Sequence, residues 1–249
     1  SYILSIMGEF SAGKSSLVNN LFGKQILPVH KTETTARITF IKYGEEERVE
    51  LVHTDGTSKF VSIEESLDIW QTGEKSDLVK DIESITINLP SDLLKNGLII
   101  ADTPGTNTVI DKHIELTENL IASSDRILYV LGKQITETDK RFVKAIEDFG
   151  TGVIFVRTYM DQIKKNEENI KDTIEKERAV LSDFSSEEVF FVSNEKDNDY
   201  FNEIHGLQAY LSCAIAENVS KAVQESVAHK IEFIIKKQKR KILDHRMEL

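Results

Sequence analysis

The chain has 249 residues, 40% of them hydrophobic, and can therefore bury the core of one large domain with an appendage. Its net charge of −11 argues against general binding to nucleic acid, and its one cysteine, Cys213, excludes an intramolecular disulfide and fits a reducing cytosol. No apolar stretch is long enough to span a bilayer and no signal peptide is evident, so we expect a cytoplasmic protein.

A glycine-rich loop lies between a predicted strand and a predicted helix at the start of the chain. Residues 2–7 form a short apolar run, and residues 16–22 have helical spacing and stop at a glycine. Residues 8–15 between them form a complete Gly-x4-Gly-Lys-Ser motif. In this context the glycines let consecutive N–H groups point at a phosphate over a helix N-terminus. We expect Lys14 to bridge the β- and γ-phosphates of a nucleoside triphosphate and Ser15 to ligate Mg²⁺; a glycine-rich turn that binds nothing is the disfavoured alternative.

A threonine-rich loop follows the first helix. Residues 32–37 precede a strand predicted at 38–43. A P-loop protein that senses the γ-phosphate needs a Mg²⁺-binding threonine on a mobile loop in this part of the chain. We choose Thr35 because it lies next to the strand, with Thr34 as the alternative; a loop without a ligand role is a third possibility.

The 67 residues from Thr35 to Asp102 exceed what a minimal nucleotide-binding domain needs there, which is about two strands of five or six residues each. Residues 48–53 alternate in polarity, a turn signal follows, and residues 60–61 can pair back. Residues 63–70 have helical spacing, and residues 82–89 return as a strand. The segment predicts an enlarged sheet with extra strands at one edge.

A second motif follows the apolar strand predicted at 98–101. The sequence continues directly as Asp102-Thr103-Pro104-Gly105. By itself Asp-x-Pro-Gly is an ordinary turn. Downstream of a P-loop and a buried strand, however, such an aspartate holds Mg²⁺, usually through water, and such a glycine offers its N–H to the γ-phosphate. We therefore expect Asp102 and Gly105 to respond to the γ-phosphate.

The base-reading element is predicted after the strand at 153–157. Thr158-Tyr159-Met160-Asp161 lies where a guanine reader has Asn/Thr-Lys-x-Asp. The Asp161 carboxylate can accept hydrogen bonds from the N1–H and the 2-amino group of guanine, which adenine lacks. Tyr159 replaces the lysine whose stem packs over the base, and its ring can stack there instead. A strand at 189–192 leads into Ser193-Asn194, which completes the predicted base pocket, and guanine is the favoured base.

The last segment predicts a long helix. Residues 207–249 contain no proline or glycine and have apolar residues at helical spacing, and residues 221–249 carry eight Lys/Arg against four Asp/Glu. One interpretation is a basic face for anionic lipid. The favoured one is a helix from a bundle whose partners lie outside this chain. We therefore divide the chain into a nucleotide-binding domain, 1–206, and a helical segment, 207–249, and expect it to be a fragment.

Several motifs together resemble the GTPase (G) domain of the dynamin superfamily, and the bacterial dynamin-like proteins most closely. They are residues 8–16, Leu27-Pro28, Thr34-Thr35-Ala36, Tyr43-Gly44 and Asp102 to Gly105. Residues 155–158 and 191–194 are also similar to the immunity-related GTPases. The resemblance covers about residues 2–220. It implies Mg²⁺-dependent GTP hydrolysis, G domains that dimerise across the nucleotide, and work on membranes, with any lipid contact made by regions missing from this chain.

The resemblance also assigns residues to the site. The positions that match the nucleotide-contacting motifs are Gly8, Glu9, Phe10, Ser11, Ala12, Gly13, Lys14, Ser15, Ser16, Asp102, Gly105, Thr158, Asp161, Ser193 and Asn194. Ser11, Lys14 and Thr35 are the expected catalytic residues, and Ser15, Thr35 and Asp102 are the expected metal ligands. Phe10 stands where dynamin has a glutamine, and a phenyl ring can neither donate a hydrogen bond nor orient water. The loop shows no arginine finger, and Arg37 is an unsupported substitute.

The expected fold is an α/β P-loop domain of three layers, with an enlarged, mostly parallel sheet and a long C-terminal helix. The favoured function is a dynamin-like GTPase whose nucleotide-dependent dimerisation is coupled to membrane remodelling, so that the cytoplasmic protein is peripheral to a membrane. A slow or inactive nucleotide-controlled switch in stress or defence is the alternative, because of Phe10 and Tyr159. A ribosome-assembly GTPase is disfavoured by the long insertion and the acidic domain.

Overall fold

The computed structural model describes residues 1–29, 38–71, 81–103, 114–162, 170–185, 187–194 and 201–213, and the positions 227, 231 and 235. The strands are β1 Tyr2–Gly8, β2 Thr39–Tyr43, β3 Arg48–His53, β4 Ser58–Val61, β5 Ile82–Leu89, β6 Leu98–Asp102, β7 Arg126–Leu131, β8 Gly152–Arg157 and β9 Val189–Phe191. The helices are α1 Lys14–Phe22, α2 Ile63–Gln71, α3 Ile114–Ser123, α4 Glu137–Asp148, α5 Ile170–Ser182 and α6, residues 204–213.

The described strands form one sheet in the order β4-β3-β5-β2-β6-β1-β7-β8-β9. Five of the eight neighbouring pairs among these strands are parallel, and the antiparallel pairs are β2–β6, β3–β4 and β3–β5. The prediction of a mostly parallel sheet is confirmed. Since β1, β6, β7 and β8 run in the same direction, their carboxyl ends meet at one edge of the sheet, where ligands bind in open α/β folds.

The predicted insertion forms the extra edge of the sheet. Val49 on β3 pairs with Val61 on β4 and with Ile87 on β5, and the turn between β3 and β4 has Gly56 at φ +83°. The alternation expected for β3 is present because Val49 and Leu51 are buried whereas their neighbours are more exposed. The prediction of an enlarged sheet with extra strands at one edge is therefore confirmed.

Helices cover both faces of the sheet and make three layers. The apolar core on one face contains residues of α1 and α6, and the core on the other face contains residues of α3, α4 and α5. Strand β7 contributes to both, since Leu128 and Val130 belong to the first core and Ile127 and Tyr129 to the second. Burial on both faces explains why the central strands read as continuous apolar runs.

Helix α6 extends across the predicted boundary between residues 206 and 207 and packs against the domain on the far side of it. Its side chains Leu207 and Leu211 are buried in the first core, and Gln208 Nε2 donates a hydrogen bond of 2.8 Å to the carbonyl oxygen of Leu21 at the end of α1. The division of the chain at 206/207 stays a prediction, because most of residues 214–249 lie outside the described part, as does most of the predicted long helix. None of the helices in the described part of the chain combines the length and the hydrophobicity that a transmembrane helix needs.

Candidate nucleotide-binding site

The loop between β1 and α1 has backbone geometry that demands its glycines. Gly8 has φ +143°, and a Cβ atom there would lie 2.2 Å from the carbonyl oxygen of Val130 on β7. Gly13, the residue before α1, has φ +87°, and Ser11 has φ +62°, a left-handed conformation that is uncommon outside glycine. The loop therefore curls tightly at the carboxyl edge of the sheet.

Helix α1 begins without a side-chain cap, in contrast to other helices of the domain. Its N-cap residue is Gly13, which makes no side-chain hydrogen bond, whereas α4 begins with a reciprocal cap between Thr136 and Asp139. Ser62 and Glu65 form the same arrangement at the start of α2. The first N–H groups of α1, together with its dipole, are thus oriented to bind an anion such as a phosphate.

The predicted phosphate and metal residues come together at this helix end. Lys14 is almost fully buried, and its ammonium donates hydrogen bonds of 2.9 Å to Gly8 O and 2.8 Å to Glu9 O. The Ser15 hydroxyl lies 3.5 Å from a carboxylate oxygen of Asp102, which follows from the parallel pairing of β6 with β1. A hydroxyl and a carboxylate beside a phosphate site match the oxygen ligands that Mg²⁺ takes in proteins. Thr34, Thr35, Arg37 and Gly105 lie outside the described residues, so their predicted roles are not tested.

The predicted base-reading residues lie at the same edge of the sheet. Asp161 lies in a 3-10 turn, Met160–Gln162, and its carboxylate accepts a hydrogen bond of 3.4 Å from the Ser193 hydroxyl. The neighbouring Asn194 has a buried side-chain oxygen that accepts no hydrogen bond within the described part of the chain. Asn20 of α1 donates to the Ser193 carbonyl at 2.9 Å and ties this pocket to the phosphate-binding helix.

Two hydroxyl groups connect the base-reading segment to the phosphate loop. Thr158 is fully buried, and its hydroxyl lies 2.6 Å from the Ala12 carbonyl oxygen, to which it donates. The Tyr159 hydroxyl donates to the preceding carbonyl of the loop, that of Ser11, at 2.7 Å. Burial and the nearby Asp161 carboxylate raise the pKa of Tyr159, so its hydroxyl keeps its proton at neutral pH.

Sequence reasoning assigned no role to a buried ion pair beneath this segment. Arg157 Nε lies 2.9 Å from Glu177 Oε1 of α5, and its guanidinium also donates to the Thr158 carbonyl at 2.6 Å. A usable signal was a charged residue at the end of the apolar run 153–156, because an arginine in such a strand needs a buried partner. The partner was not recognisable, since Glu177 is one of three acidic residues on α5.

A second unpredicted contact joins the phosphate loop to the residues that follow β7. Lys133, which follows β7, pairs with the Glu9 carboxylate at 3.0 Å, and this contact raises the pKa of Lys133. Phe10, the next loop residue, exposes 39% of its surface. The loop therefore presents an ion pair and an aromatic ring to solvent side by side in sequence.

Comparison with known proteins supports the expected family. The model of the dynamin family matches residues 4–160. Dynamin-like protein A of Bacillus subtilis (strain 168) is 27% identical over 240 residues, which cover 94% of this chain and 20% of that protein. A protein of Caldicellulosiruptor sp. (strain Rt8B.4), described as an uncharacterized protein in the xynA 3' region, is 32% identical over 169 residues. These residues cover 67% of this chain and 42% of that protein.

A solved structure has the same fold. It is that of an oligomerised bacterial dynamin pair, said to provide a mechanism for the long range sensing and tethering of membranes, and it superposes with a TM-score of 0.70 at 21% identity. The match covers 94% of this chain and 37% of that one, so the chain spans less than half the length of these relatives. The predicted family is confirmed: the chain belongs to the dynamin family and contains the GTPase domain of that family.

Proposed function

We propose that this chain binds GTP with Mg²⁺ and hydrolyses its γ-phosphate anhydride. The observation that carries the proposal is the uncapped start of α1, where Lys14, Ser15 and Asp102 surround one anion-binding helix end. The β-phosphate would lie on the N–H groups of the loop, and Lys14 would bridge the β- and γ-phosphates. Ser15, Asp102 and Thr35 would hold the metal, which when bound neutralises charge on the phosphate oxygens.

The base specificity is assigned to Asp161. Guanine presents two N–H donors to a carboxylate, whereas adenine presents an acceptor at N1 and no 2-amino group. Leaving such a polar edge unpaired costs on the order of 1–3 kcal/mol. The hydrogen bond from Ser193 to Asp161 and the buried Asn194 oxygen support a polar pocket for the base at this position.

For the hydrolytic step we assign Ser11, Lys14 and Thr35, with the Gly105 N–H as the γ-phosphate sensor. Ser11 has a left-handed backbone conformation, which sets the direction of its peptide groups in the loop. Phe10 cannot orient water, so positioning of the nucleophile falls to these groups and to loop N–H donors.

Nucleotide competition tests the proposal. GTP should displace a fluorescent GDP analogue far better than ATP does, and Asp161→Asn should reduce that preference. Asp92→Asn is the matched control, because Asp92 is a fully exposed carboxylate in the loop before β6, at the opposite edge of the sheet. Comparable affinities for GTP and ATP in the unaltered chain would refute guanine recognition by Asp161.

We further propose that G domains of this chain dimerise across the nucleotide and that hydrolysis serves membrane remodelling by the whole, cytoplasmic protein, which would contact lipid peripherally through regions outside this chain. The division into a G domain, 1–206, and a helical segment, 207–249, belongs to the same proposal. The dynamin pair described as tethering membranes supports it by likeness of fold. One observation favours the alternative, a slow or inactive switch: Phe10 occupies the position of the dynamin glutamine and is partly exposed.

A further inference from the structure

Tyr159 has an unusual backbone conformation and a specific partner. Its φ is +59°, in the left-handed region that side chains other than those of glycine, asparagine and aspartate adopt infrequently. Its hydroxyl donates a hydrogen bond of 2.7 Å to the Ser11 carbonyl, 148 residues earlier in the chain. Such a conformation persists when surrounding contacts determine it, so the contacts of this side chain are informative.

The Tyr159 ring lies against the backbone of the phosphate loop. A Cβ atom built on Gly132 would be 3.2 Å from a ring carbon of Tyr159 and 3.1 Å from the Ala12 Cα. A Cβ atom built on Gly13 would be 3.5 Å from the far end of the same ring. The ring therefore lies beside two glycines, and the absence of a side chain at Gly132 makes room for its approach to the loop.

The Tyr159 hydroxyl restrains the peptide unit between Ser11 and Ala12, which already has one hydrogen bond on its opposite side. The N–H of Ala12 donates to the Glu9 carbonyl at 3.2 Å, and the carbonyl of the same peptide unit, that of Ser11, accepts from Tyr159. In a trans peptide the C=O and N–H groups point in opposite directions, so the two bonds fix the orientation of the plane. Thr158 holds the next carbonyl, that of Ala12, and thereby directs the Gly13 N–H to the opposite side.

We propose that Tyr159 is a positioning residue for the phosphate loop and does not form a wall of the base pocket. Its hydroxyl keeps the peptide plane after Ser11 in the orientation required for phosphate binding, and it couples the loop to the segment that carries Asp161. The inference rests on the proposed function, since it assumes that the loop binds the phosphates of GTP. Fixing the donors before the ligand arrives reduces the ordering that binding requires, which is why a single hydroxyl affects affinity.

Two variants of the full chain test this. Tyr159→Phe removes the hydroxyl and keeps the ring, and it should weaken both GTP and ATP by about 3- to 10-fold, the effect of one neutral hydrogen bond, with the GTP/ATP ratio unchanged. Affinity for guanosine, which has no phosphates, should not change. Tyr159→Lys supplies another donor for the Ser11 carbonyl and should recover part of the loss. Tyr43→Phe is the control, because Tyr43 is a partly exposed tyrosine at the far end of β2 from Asp102.

The outcomes separate this inference from the function on which it rests. An altered GTP/ATP ratio in Tyr159→Phe, or a weakened affinity for guanosine, would show that the Tyr159 hydroxyl acts on base recognition and would overturn the inference. Unchanged affinities in Tyr159→Phe, with normal GTP binding by the unaltered chain, would overturn it while leaving the proposed function intact. Failure of the unaltered chain to bind guanine nucleotide would overturn both.

Discussion

Arg157 is expected to stabilise both the domain and the base-reading segment. Its guanidinium pairs with Glu177 at 2.9 Å and donates to the Thr158 carbonyl at 2.6 Å. The two charged side chains are only 11% and 10% exposed, so water cannot replace either partner fully. Replacing Arg157 with methionine keeps the apolar stem but leaves the Glu177 carboxylate without its cation.

The size of the effect follows from this burial. Removing one partner of a buried ion pair destabilises a protein by about 3–5 kcal/mol, and the residual exposure places Arg157→Met near the lower value. That is a large fraction of the roughly 5–15 kcal/mol by which native domains are stable. Glu177→Gln also removes the counter-ion of a buried charge, that of Arg157, but the guanidinium keeps the glutamine oxygen and the Thr158 carbonyl as acceptors, so this variant should destabilise less than Arg157→Met. The double variant Arg157→Met with Glu177→Leu should recover part of the loss, because no unpaired charge remains buried.

Urea unfolding followed by far-UV circular dichroism measures these free energies, and nucleotide affinity is measured on the same samples. Lys95→Met is the control: it removes a surface ion pair with Asp92 at 4.0 Å whose side chains are 63% and 101% exposed, and it should leave the unfolding curve unchanged. If Arg157→Met unfolded within about 1 kcal/mol of the unaltered chain, the burial argument would be refuted. A double variant less stable than Arg157→Met alone would contradict the reasoning about the uncompensated charge.

Three further predictions concern the loop. Lys14→Ala should abolish GTP binding, because the phosphates lose the cation of the loop, and equal affinities by calorimetry would disprove the P-loop assignment. Gly8→Ala should lower the melting temperature far more than Gly23→Ala. Both glycines have positive φ, but a Cβ at Gly8 would lie 2.2 Å from the Val130 carbonyl oxygen, whereas one at Gly23 would meet nothing within 4 Å. Similar losses in the two variants would show that the structure relieves the clash at Gly8. The chain should dimerise in the presence of GDP plus aluminium fluoride. With GTP, turnover per molecule should rise with protein concentration, because dimerisation obeys mass action. Phe10→Ala should lower that turnover if the ring packs at the dimer interface. A strictly monomeric chain with near-zero, concentration-independent turnover would favour the switch.

The sequence by itself determined the features that depend on neighbouring residues. The first strand, the loop and the first helix could be predicted because the apolar run, the glycines, Lys14 and Ser15, and the helical spacing all lie within residues 2–22. The hairpin from β3 to β4 could be predicted because its turn residues and its alternation of apolar and polar residues are local. The position of Asp102 beside Ser15 was also predictable, since an aspartate at the end of a buried parallel strand reaches the same edge as the loop.

Only the tertiary structure decided which distant groups meet. Tyr159 was open to interpretation as a ring over the base, and its bond to Ser11 depends on the register of β7 and β8 and on Gly132. The pairing of Arg157 with Glu177 and the docking of Gln208 on Leu21 likewise join segments far apart in the chain. The physical reason is that propensity and periodicity act over a few residues, whereas the partner of a buried polar group is selected by the packing of whole strands and helices, which satisfies that group in one arrangement.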